Sequence, residues 1–266
     1  MIKLSACIEM LFNDRPFVER IRCAKDAGFD GYEFWSWVGK DLEAIAGAQA
    51  DTGLPLAACA IGTADKARAK AYADGAMLKP QNAGLFTEIV SETIETMKPY
   101  GVQTFLVTTG NELEGVCRCA QQDSVVACLS AAAPIAARAG VTLVLEPLNL
   151  LVDHAGYYLS RSDQGFEILR AVNHPSIKLL FDIYHQQITE GNLIQNITAN
   201  IDLIGHFHIA DVPGRHQPGT GEINYDHVMR AIGTSAYSAY AGCEYTTAGE
   251  VEGAKGAELI VSYAHR

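Results

Sequence analysis

The chain has 266 residues, of which 48% are hydrophobic and 19% are charged, so it can bury a large core and is neither a disordered nor a coiled-coil protein. Its formal net charge of −11 disfavours nucleic acid and anionic membrane as partners, because their phosphates require a basic surface. A small anionic substrate is still compatible with this charge, since a metal ion and local cationic side chains can reverse the field inside a pocket.

Strand and helix patterns alternate regularly along the chain. Apolar and β-branched runs predict eight strands, at Lys3–Ile8, Gly31–Trp35, Leu56–Ile61, Gln103–Thr108, Thr142–Glu146, Lys178–Asp182, Gly205–Ala210 and Ala239–Tyr245. Helical patterns lie between or after them, at Phe17–Ala27, Asp41–Thr52, Leu85–Tyr100, Val125–Ala139, Asp163–Val172, Asn192–Ile201, Tyr225–Ile232 and Ala254–Tyr263. The segment from Gly62 to Asn82 is expected to be a long loop that contains a short helix.

The order of these elements predicts a barrel. Gly28, Gly53, Gly101 and Gly140 each follow a helix directly, as expected of a left-handed C-cap. Strand–helix alternation of this kind implies a parallel sheet with right-handed crossovers. Eight repeats in this length favour the α/β class with one closed (β/α)8 TIM barrel, a single domain over residues 1–266. The first strand is not followed by G-x-G-x-x-G, which argues against a dinucleotide-binding fold.

The amino-terminal residues and the cysteines bear on location. The chain opens as a strand without the features of a signal peptide, and it contains no run of 18 apolar residues, so we expect no membrane span and a cytoplasmic location. The seven cysteines form an odd set without the spacing of a disulfide framework. We interpret the C-x-C pair Cys117 and Cys119 as two surface or half-buried thiols rather than as a redox or metal pair.

Four acidic or histidine side chains stand at the ends of four consecutive predicted strands, about one strand–helix unit apart: Glu146, Asp182, His208 and Glu244. In a parallel barrel these ends meet at one mouth, where the active sites of TIM barrels lie. Three carboxylates and an imidazole would pack badly there unless a divalent cation neutralised them. The oxygen and nitrogen donors predict one Mn²⁺ or Mg²⁺ ion, with Co²⁺ or Zn²⁺ as alternatives.

Other residues near the same strand ends are candidates for substrate binding. His185 follows the sequence Asp-Ile-Tyr, and Arg215 follows Asp-Val-Pro-Gly. An imidazole and a guanidinium suit the orientation of a polyhydroxy or carboxylate substrate. Glu33, Trp35 and Trp37, at or after the end of the second strand, are candidates for a wall over the sugar carbons, with packing at the barrel rim as the alternative. Asn111, after the fourth strand, is a further candidate contact to substrate.

Two more polar residues of the seventh strand and its loop are assigned structural roles. We interpret His206 as a structural histidine that faces the opposite side of its strand from His208. Asp211 is interpreted mainly as a residue that caps a loop.

Several stretches resemble the hydroxypyruvate isomerase family, which belongs to the xylose isomerase-like barrels together with the ketose 3-epimerases. They are Leu145-Glu-Pro-Leu-Asn149, Leu180-Phe-Asp-Ile-Tyr-His185, Ile209-Ala-Asp-Val-Pro-Gly-Arg215, Gln217-Pro-Gly-Thr-Gly-Glu-Ile-Asn-Tyr225 and Gly242-Cys-Glu-Tyr245. The resemblance spans the chain but is sharp only over the part that holds these stretches.

This resemblance implies that the four strand-end residues bind the metal and that Glu146 and Glu244 also face each other across the substrate as proton donor and acceptor. The cation would stabilise an enediolate of a small keto-acid or sugar, and a homodimer or homotetramer is expected. Hydroxypyruvate isomerases tend to have Gln where this chain has His208. Ketose 3-epimerases have His there, but their Arg follows it by six residues, and Arg215 follows by seven. Isomerisation and 3-epimerisation are therefore both open.

Three other functions are weighed against these. A keto-sugar lyase or dehydratase would share the enediolate, and a non-catalytic sugar-binding barrel would not need both glutamates. A metal-dependent DNA endonuclease is disfavoured, because it needs more histidine ligands and a basic groove. No Gly-rich phosphate-binding turn follows the seventh or eighth strand, which favours an unphosphorylated substrate.

Overall fold

Each of the eight strands pairs in parallel with the next strand in the chain, and the last pairs with the first, so the sheet closes into a barrel. The structure is a computed structural model that describes residues 2–248. The predicted barrel class is confirmed, and the strand ends lie within one or two residues of those predicted. The strands are β1 (Lys3–Cys7), β2 (Gly31–Phe34), β3 (Leu56–Ala60), β4 (Thr104–Val107), β5 (Thr142–Leu145), β6 (Ile177–Asp182), β7 (Ile204–Ile209) and β8 (Tyr240–Cys243).

Helices lie between these strands along the chain. The four glycines predicted to end helices all have positive φ angles, as a left-handed C-cap requires. The helix predicted at Ala254–Tyr263 lies outside the described residues. Those described are α1 (Glu19–Asp26), α2 (Leu42–Thr52), α3 (Lys66–Ala73), α4 (Ala83–Met97), α5 (Arg118–Ala139), α6 (Ser162–Val172), α7 (Ile183–Thr189), α8 (Leu193–Ala199) and α9 (Tyr225–Gly233).

Two helices differ from the prediction. α5 begins at Arg118 rather than at Val125, because its first turns are polar and lack the apolar periodicity on which the prediction depended. α7 was not predicted, since it follows β6 without a connecting loop. Asp182 ends the strand and also caps the helix, where its Oδ1 accepts a hydrogen bond from the backbone N–H of His185 (3.0 Å).

Cys117 and Cys119 are joined by a disulfide at the exposed start of α5, so the prediction of two separate thiols is wrong. Their Cα atoms are 5.3 Å apart, within the range that a disulfide spans. The other five cysteines are free, and all of these except Cys23 are buried. Within residues 2–248, no helix is long and apolar enough to cross a membrane.

The interior of the barrel is apolar on one side and polar on the other. β3 to β6 contribute a small buried apolar cluster, formed by Ala58, Leu106, Val144 and Leu180. β1, β2 and β7 contribute polar side chains instead, which contact one another: Ser5, Glu33 and His206. Because residues two apart on a strand share a face, the next inward residues of β5 to β8 form a layer at the carboxyl ends of the strands. That layer holds the four predicted metal ligands.

Gly205 in β7 provides a test of how tightly this barrel is packed. A Cβ at this position would lie 2.7 Å from Cβ of Lys178 and 2.9 Å from Cγ1 of Val144. We expect Gly205→Ala to lower the free energy of unfolding by about 1–3 kcal/mol, as overpacking does. Urea unfolding followed by circular dichroism measures this change.

Gly47 is the matched control, because it lies on the exposed side of α2 and a Cβ added there would have no neighbour within 4 Å. Gly47→Ala should stabilise the protein by about 1 kcal/mol through helix propensity. Equal effects of the two substitutions would contradict the packing described for β7.

Candidate metal and active site

Four side chains converge at the carboxyl ends of β5 to β8, as the sequence predicts. Glu146 follows β5, Asp182 ends β6, His208 is the penultimate residue of β7, and Glu244 follows β8. Strand register aligns them, because Asp182 pairs with His208 and His208 pairs with Gly242, two residues before Glu244. One ligand atom from each of the four lies within 4.8 Å of the others.

The imidazole of His208 is at the centre of this cluster. Its Nδ1 lies 3.2 Å from Oε2 of Glu244, 3.4 Å from Oε1 of Glu146 and 3.9 Å from Oδ2 of Asp182. All four side chains are buried, and the most exposed, Glu146, retains only 7% of its accessible surface. Burying this many carboxylates is energetically unfavourable unless positive charge lies among them.

The protein supplies part of that positive charge. Burial lowers the pKa of His208, but the negative charges of Glu244 and Glu33 outweigh it and hold this pKa well above its ordinary value. Burial likewise raises the pKa of Glu244, but His208 and Arg215 outweigh it and lower this pKa well below the usual range. Without a metal, the imidazole therefore serves as the counter-ion of the carboxylates.

The residues of this cluster fit a divalent cation. Both ring nitrogens of His208 are buried without a hydrogen-bond partner among the described residues, which is costly, and Nδ1 is the nitrogen on the side of the cluster. It faces three carboxylate oxygens within ion-pair distance or close to it. Three oxygens and one imidazole nitrogen form a donor set that suits Mn²⁺, Mg²⁺, Co²⁺ or Zn²⁺.

The loop after β7 brings Arg215 to the cluster. Its guanidinium contacts Glu244 directly, lies 3.8 Å from Oδ2 of Asp182, and stacks over the ring of Tyr184 at 5.1 Å. The loop is shaped by Asp211, whose carboxylate accepts hydrogen bonds from the backbone N–H groups of four loop residues, including Gly219 (2.9 Å). The predicted loop-capping role of Asp211 is therefore confirmed.

His185 lies beside the cluster in the first turn of α7 and is fully buried. Its Nδ1 accepts a hydrogen bond from Nδ2 of Asn149 (2.7 Å), which places the ring proton on Nε2. That Nε2 is 3.6 Å from Oδ2 of Asp182 and has no hydrogen-bond partner among the described residues. Asp153 and Tyr184 complete the surrounding network, since both Asn149 and Tyr184 donate to the Asp153 carboxylate (2.7 and 2.9 Å).

The remaining two predicted substrate contacts differ in position. Trp35 is 47% exposed, and its indole N–H donates to the Glu244 carboxylate, so it borders the cluster. Trp37 is buried instead and donates to Thr93 (3.4 Å), which excludes it from an aromatic wall at the site. Asn111 is exposed and forms an antiparallel bridge with Tyr157, whose hydroxyl donates to the backbone carbonyl of Glu146 (2.9 Å). The structure gives no contact between the Asn111 side chain and the cluster.

The prediction that His206 faces away from His208 is wrong. Residues two apart on a strand share a face, and the two rings lie 5.2 Å apart inside the barrel. Both contact Glu33, which the sequence groups with the two tryptophans and does not place beside these histidines. The signal that could have found this group is the His-x-His pattern of β7, together with a glutamate at an inward-facing position of β2.

A separate open cleft of about 590 Å³ lies between α4 and α5, at the amino ends of the strands. It is lined by apolar side chains with Glu95, Lys98 and Arg138, and it contains none of the residues of the cluster. The buried cluster and this open cleft therefore lie at opposite ends of the barrel. The candidate active site is the buried cluster.

Sequence comparison finds relatives that match almost the whole chain. The putative hydroxypyruvate isomerase of Danio rerio is 32% identical over 257 residues, which cover 94% of this chain and 92% of that protein. The hydroxypyruvate isomerase of Escherichia coli is 31% identical over 92% of this chain and 93% of its own length. The 2-oxo-tetronate isomerase of Cupriavidus necator is also 31% identical, with the same coverage of both chains.

Solved structures show the same fold. The crystal structure described as AP endonuclease, family 2, from Brucella melitensis matches with a TM-score of 0.88 and 27% identity over 99% of both chains. L-ribulose 3-epimerase matches with a TM-score of 0.79 and 22% identity, over 100% of this chain and 95% of that one. The IolI protein with a bound zinc atom matches with a TM-score of 0.73 and 19% identity, over 99% of this chain and 95% of that one.

A family model described as the xylose isomerase-like TIM barrel matches residues 21–262. This match covers most of the closed barrel and all four residues of the buried cluster. It agrees with the isomerase names of the full-length relatives. The chain is therefore an isomerase of the xylose isomerase-like TIM barrel family.

Proposed function

We propose that this protein is a metal-dependent isomerase of a small, unphosphorylated keto-acid or sugar, most similar in activity to hydroxypyruvate isomerase. The observation that carries the proposal is the buried cluster of Glu146, Asp182, His208 and Glu244, with an unpartnered imidazole nitrogen at its centre. The names of the full-length relatives support the substrate class.

The four residues of the cluster would hold one divalent cation, with Mn²⁺ or Mg²⁺ favoured by the three carboxylates and Co²⁺ or Zn²⁺ as alternatives. When bound, the cation would supply Lewis-acid chemistry, which makes a C–H next to a substrate carbonyl more acidic. The residues of the chain then have to bind the substrate, orient it and move the proton.

Glu146 and Glu244 are the proposed proton acceptor and donor. They enter the cluster from β5 and β8, on opposite sides of the β6 and β7 ligands. In this proposal, one carboxylate removes the proton from the hydroxyl-bearing carbon next to the carbonyl. Return of the proton to the former carbonyl carbon, with transfer of the hydroxyl proton to the former carbonyl oxygen, isomerises the substrate. Trp35 and Arg215 contact Glu244 and restrict its carboxylate, which favours a defined geometry for the transfer.

His185 and Arg215 would orient the substrate. Nε2 of His185 carries a proton and has no partner among the described residues, so it can donate a hydrogen bond to a substrate oxygen. Nε of Arg215 is also buried without a hydrogen-bond partner in the described part of the chain. Two unsatisfied donors beside a carboxylate cluster suit a ligand that carries hydroxyl, carbonyl or carboxylate oxygens. Asn111 is proposed only as an outer contact of the substrate.

A ketose 3-epimerase is the second candidate. His208 favours it, because His is typical of 3-epimerases at this position. Epimerisation would use the same two glutamates, with the proton removed from one face of a carbon and returned to the other. We further propose a homodimer or homotetramer, as the resemblance implies, and a cytoplasmic location.

The glutamates give the direct test of the proposed proton transfer. Glu146→Gln and Glu244→Gln keep the shape of each side chain but remove the base, so each should lower kcat by about 10²–10⁴-fold. Steady-state kinetics with hydroxypyruvate and free ketoses at saturating Mn²⁺ measures this loss.

Glu190→Gln is the matched control for that test, because Glu190 is a buried carboxylate at the end of α7 that pairs with Arg161 and Ser162. Its activity should stay within about twofold of the parent. Near-normal turnover in either purified cluster variant would remove that glutamate from the mechanism.

Metal removal tests the proposed cofactor. Dialysis against EDTA should abolish turnover, and added Mn²⁺ or Mg²⁺ should restore it. Because the ion binds only the folded cluster, a Mn²⁺ concentration 100-fold above its Kd should stabilise the fold by about 2.7 kcal/mol, seen as a higher Tm. Full activity of a protein shown by elemental analysis to lack metal would contradict the proposal.

A further inference from the structure

A second buried group lies directly behind the candidate metal cluster, inside the barrel. Its members are Ser5, Glu33 and His206, which are 0%, 3% and 1% exposed. Glu33 connects them, because its Oε2 accepts hydrogen bonds from the hydroxyl of Ser5 (2.7 Å) and from Nε2 of His206 (3.0 Å).

The free oxygen of Glu33 is directed at His208. Oε1 lies 2.9 Å from Nε2 of His208, which is within ion-pair distance although the contact does not have the angle of a hydrogen bond. The imidazole therefore has two distinct sides, with Nε2 toward Glu33 and Nδ1 toward the three carboxylates of the cluster. A histidine that binds a metal through one ring nitrogen must carry its proton on the other. The negative charge of a carboxylate beside Nε2 attracts the ring proton to that nitrogen, so Glu33 favours a free Nδ1.

Gly242 in β8 makes room for this carboxylate. A Cβ at position 242 would lie 2.2 Å from Oε1 of Glu33 and 2.6 Å from its Cδ. Any side chain here would displace Glu33 from the inner face of the barrel. Gly242 pairs with His208 in the strand register. The space left by the missing side chain therefore lies next to the imidazole, and the Glu33 carboxylate occupies it.

We propose that Glu33 is a positioning residue for the metal site: it holds His208 with Nδ1 toward the ion, while Ser5 and His206 hold Glu33. This inference rests on the proposed metal site but not on the reaction. The second-site alternative, a metal bound by Glu33, His206 and His208, is less favoured. Both oxygens of Glu33 are already engaged by protein partners, and a second ion would have to displace them.

Metal affinity tests the proposal without turnover. In Glu33→Gln the acceptor loses its charge, and the Kd for Mn²⁺, measured by calorimetry, should rise about 10–100-fold. Glu33→Asp keeps the charge but moves it away from His208, so this variant should also weaken Mn²⁺ binding. It replaces Glu33→Gln in the test if that variant does not fold. Glu190→Gln should leave the Kd within about twofold of the parent.

Two further readouts separate positioning from simple support of the fold. In ¹⁵N-histidine-labelled protein loaded with Mg²⁺, His208 should show a protonated Nε2 in the parent and a mixture of ring forms in Glu33→Gln. In a His208→Gln background, Glu33→Gln should have little further effect on the Mn²⁺ Kd, because Glu33 acts through the imidazole.

Three results would overturn the proposal. They are an unchanged Mn²⁺ Kd in the folded Glu33 variants, an equal effect of Glu33→Gln on this Kd in the parent and in the His208→Gln background, or two equivalents of metal bound per chain.

Failure of the proposed isomerase activity would give a different result. A protein that binds Mn²⁺ with the predicted Glu33 dependence, but turns over no keto-acid or sugar, would leave this inference intact.

Discussion

The contact of one imidazole with three buried carboxylates is the interaction on which the rest of the site depends. Nδ1 of His208 has Glu146, Asp182 and Glu244 within 3.9 Å, in a place with almost no solvent. Such a group is unstable unless positive charge balances it. The chain supplies some of that charge itself, and we attribute the remainder to a divalent cation. The affinity for the metal therefore depends on the charge state of the cluster.

The barrel interior is arranged around this requirement. On the side of β3 to β6 the layer beneath the cluster is apolar, whereas on the side of β1, β2 and β7 it is polar and hydrogen-bonded. The polar half places Glu33 against His208, and the absence of a side chain at Gly242 leaves it the space. A buried polar group of this kind is costly unless its members satisfy one another, which Ser5 and His206 achieve for one oxygen of Glu33.

The fold and the metal cluster could be read from the sequence because both depend on simple periodicity. Four inward residues end four consecutive strands, so Glu146, Asp182, His208 and Glu244 had to meet once the barrel closed. The contacts of Glu33 could not be predicted from the sequence, because its partners lie on other strands of the barrel. The prediction for His206 fails for a different reason, because residues two apart on β7 share a face and both imidazoles therefore enter the barrel. The disulfide of Cys117 also depends on local backbone geometry that spacing alone does not show.

The most direct test of the central claim is proton NMR in D₂O of the Mn²⁺- or Mg²⁺-loaded protein with hydroxypyruvate and free ketoses, using Mg²⁺ where paramagnetism would broaden the spectra. We predict metal-dependent entry of deuterium at a carbon next to the carbonyl, and its loss in Glu146→Gln and Glu244→Gln. A moved carbonyl would identify an isomerase, and inversion at C3 a 3-epimerase. No exchange with any of these substrates, in a protein shown to hold its metal, would contradict the proposed proton transfer at the cluster.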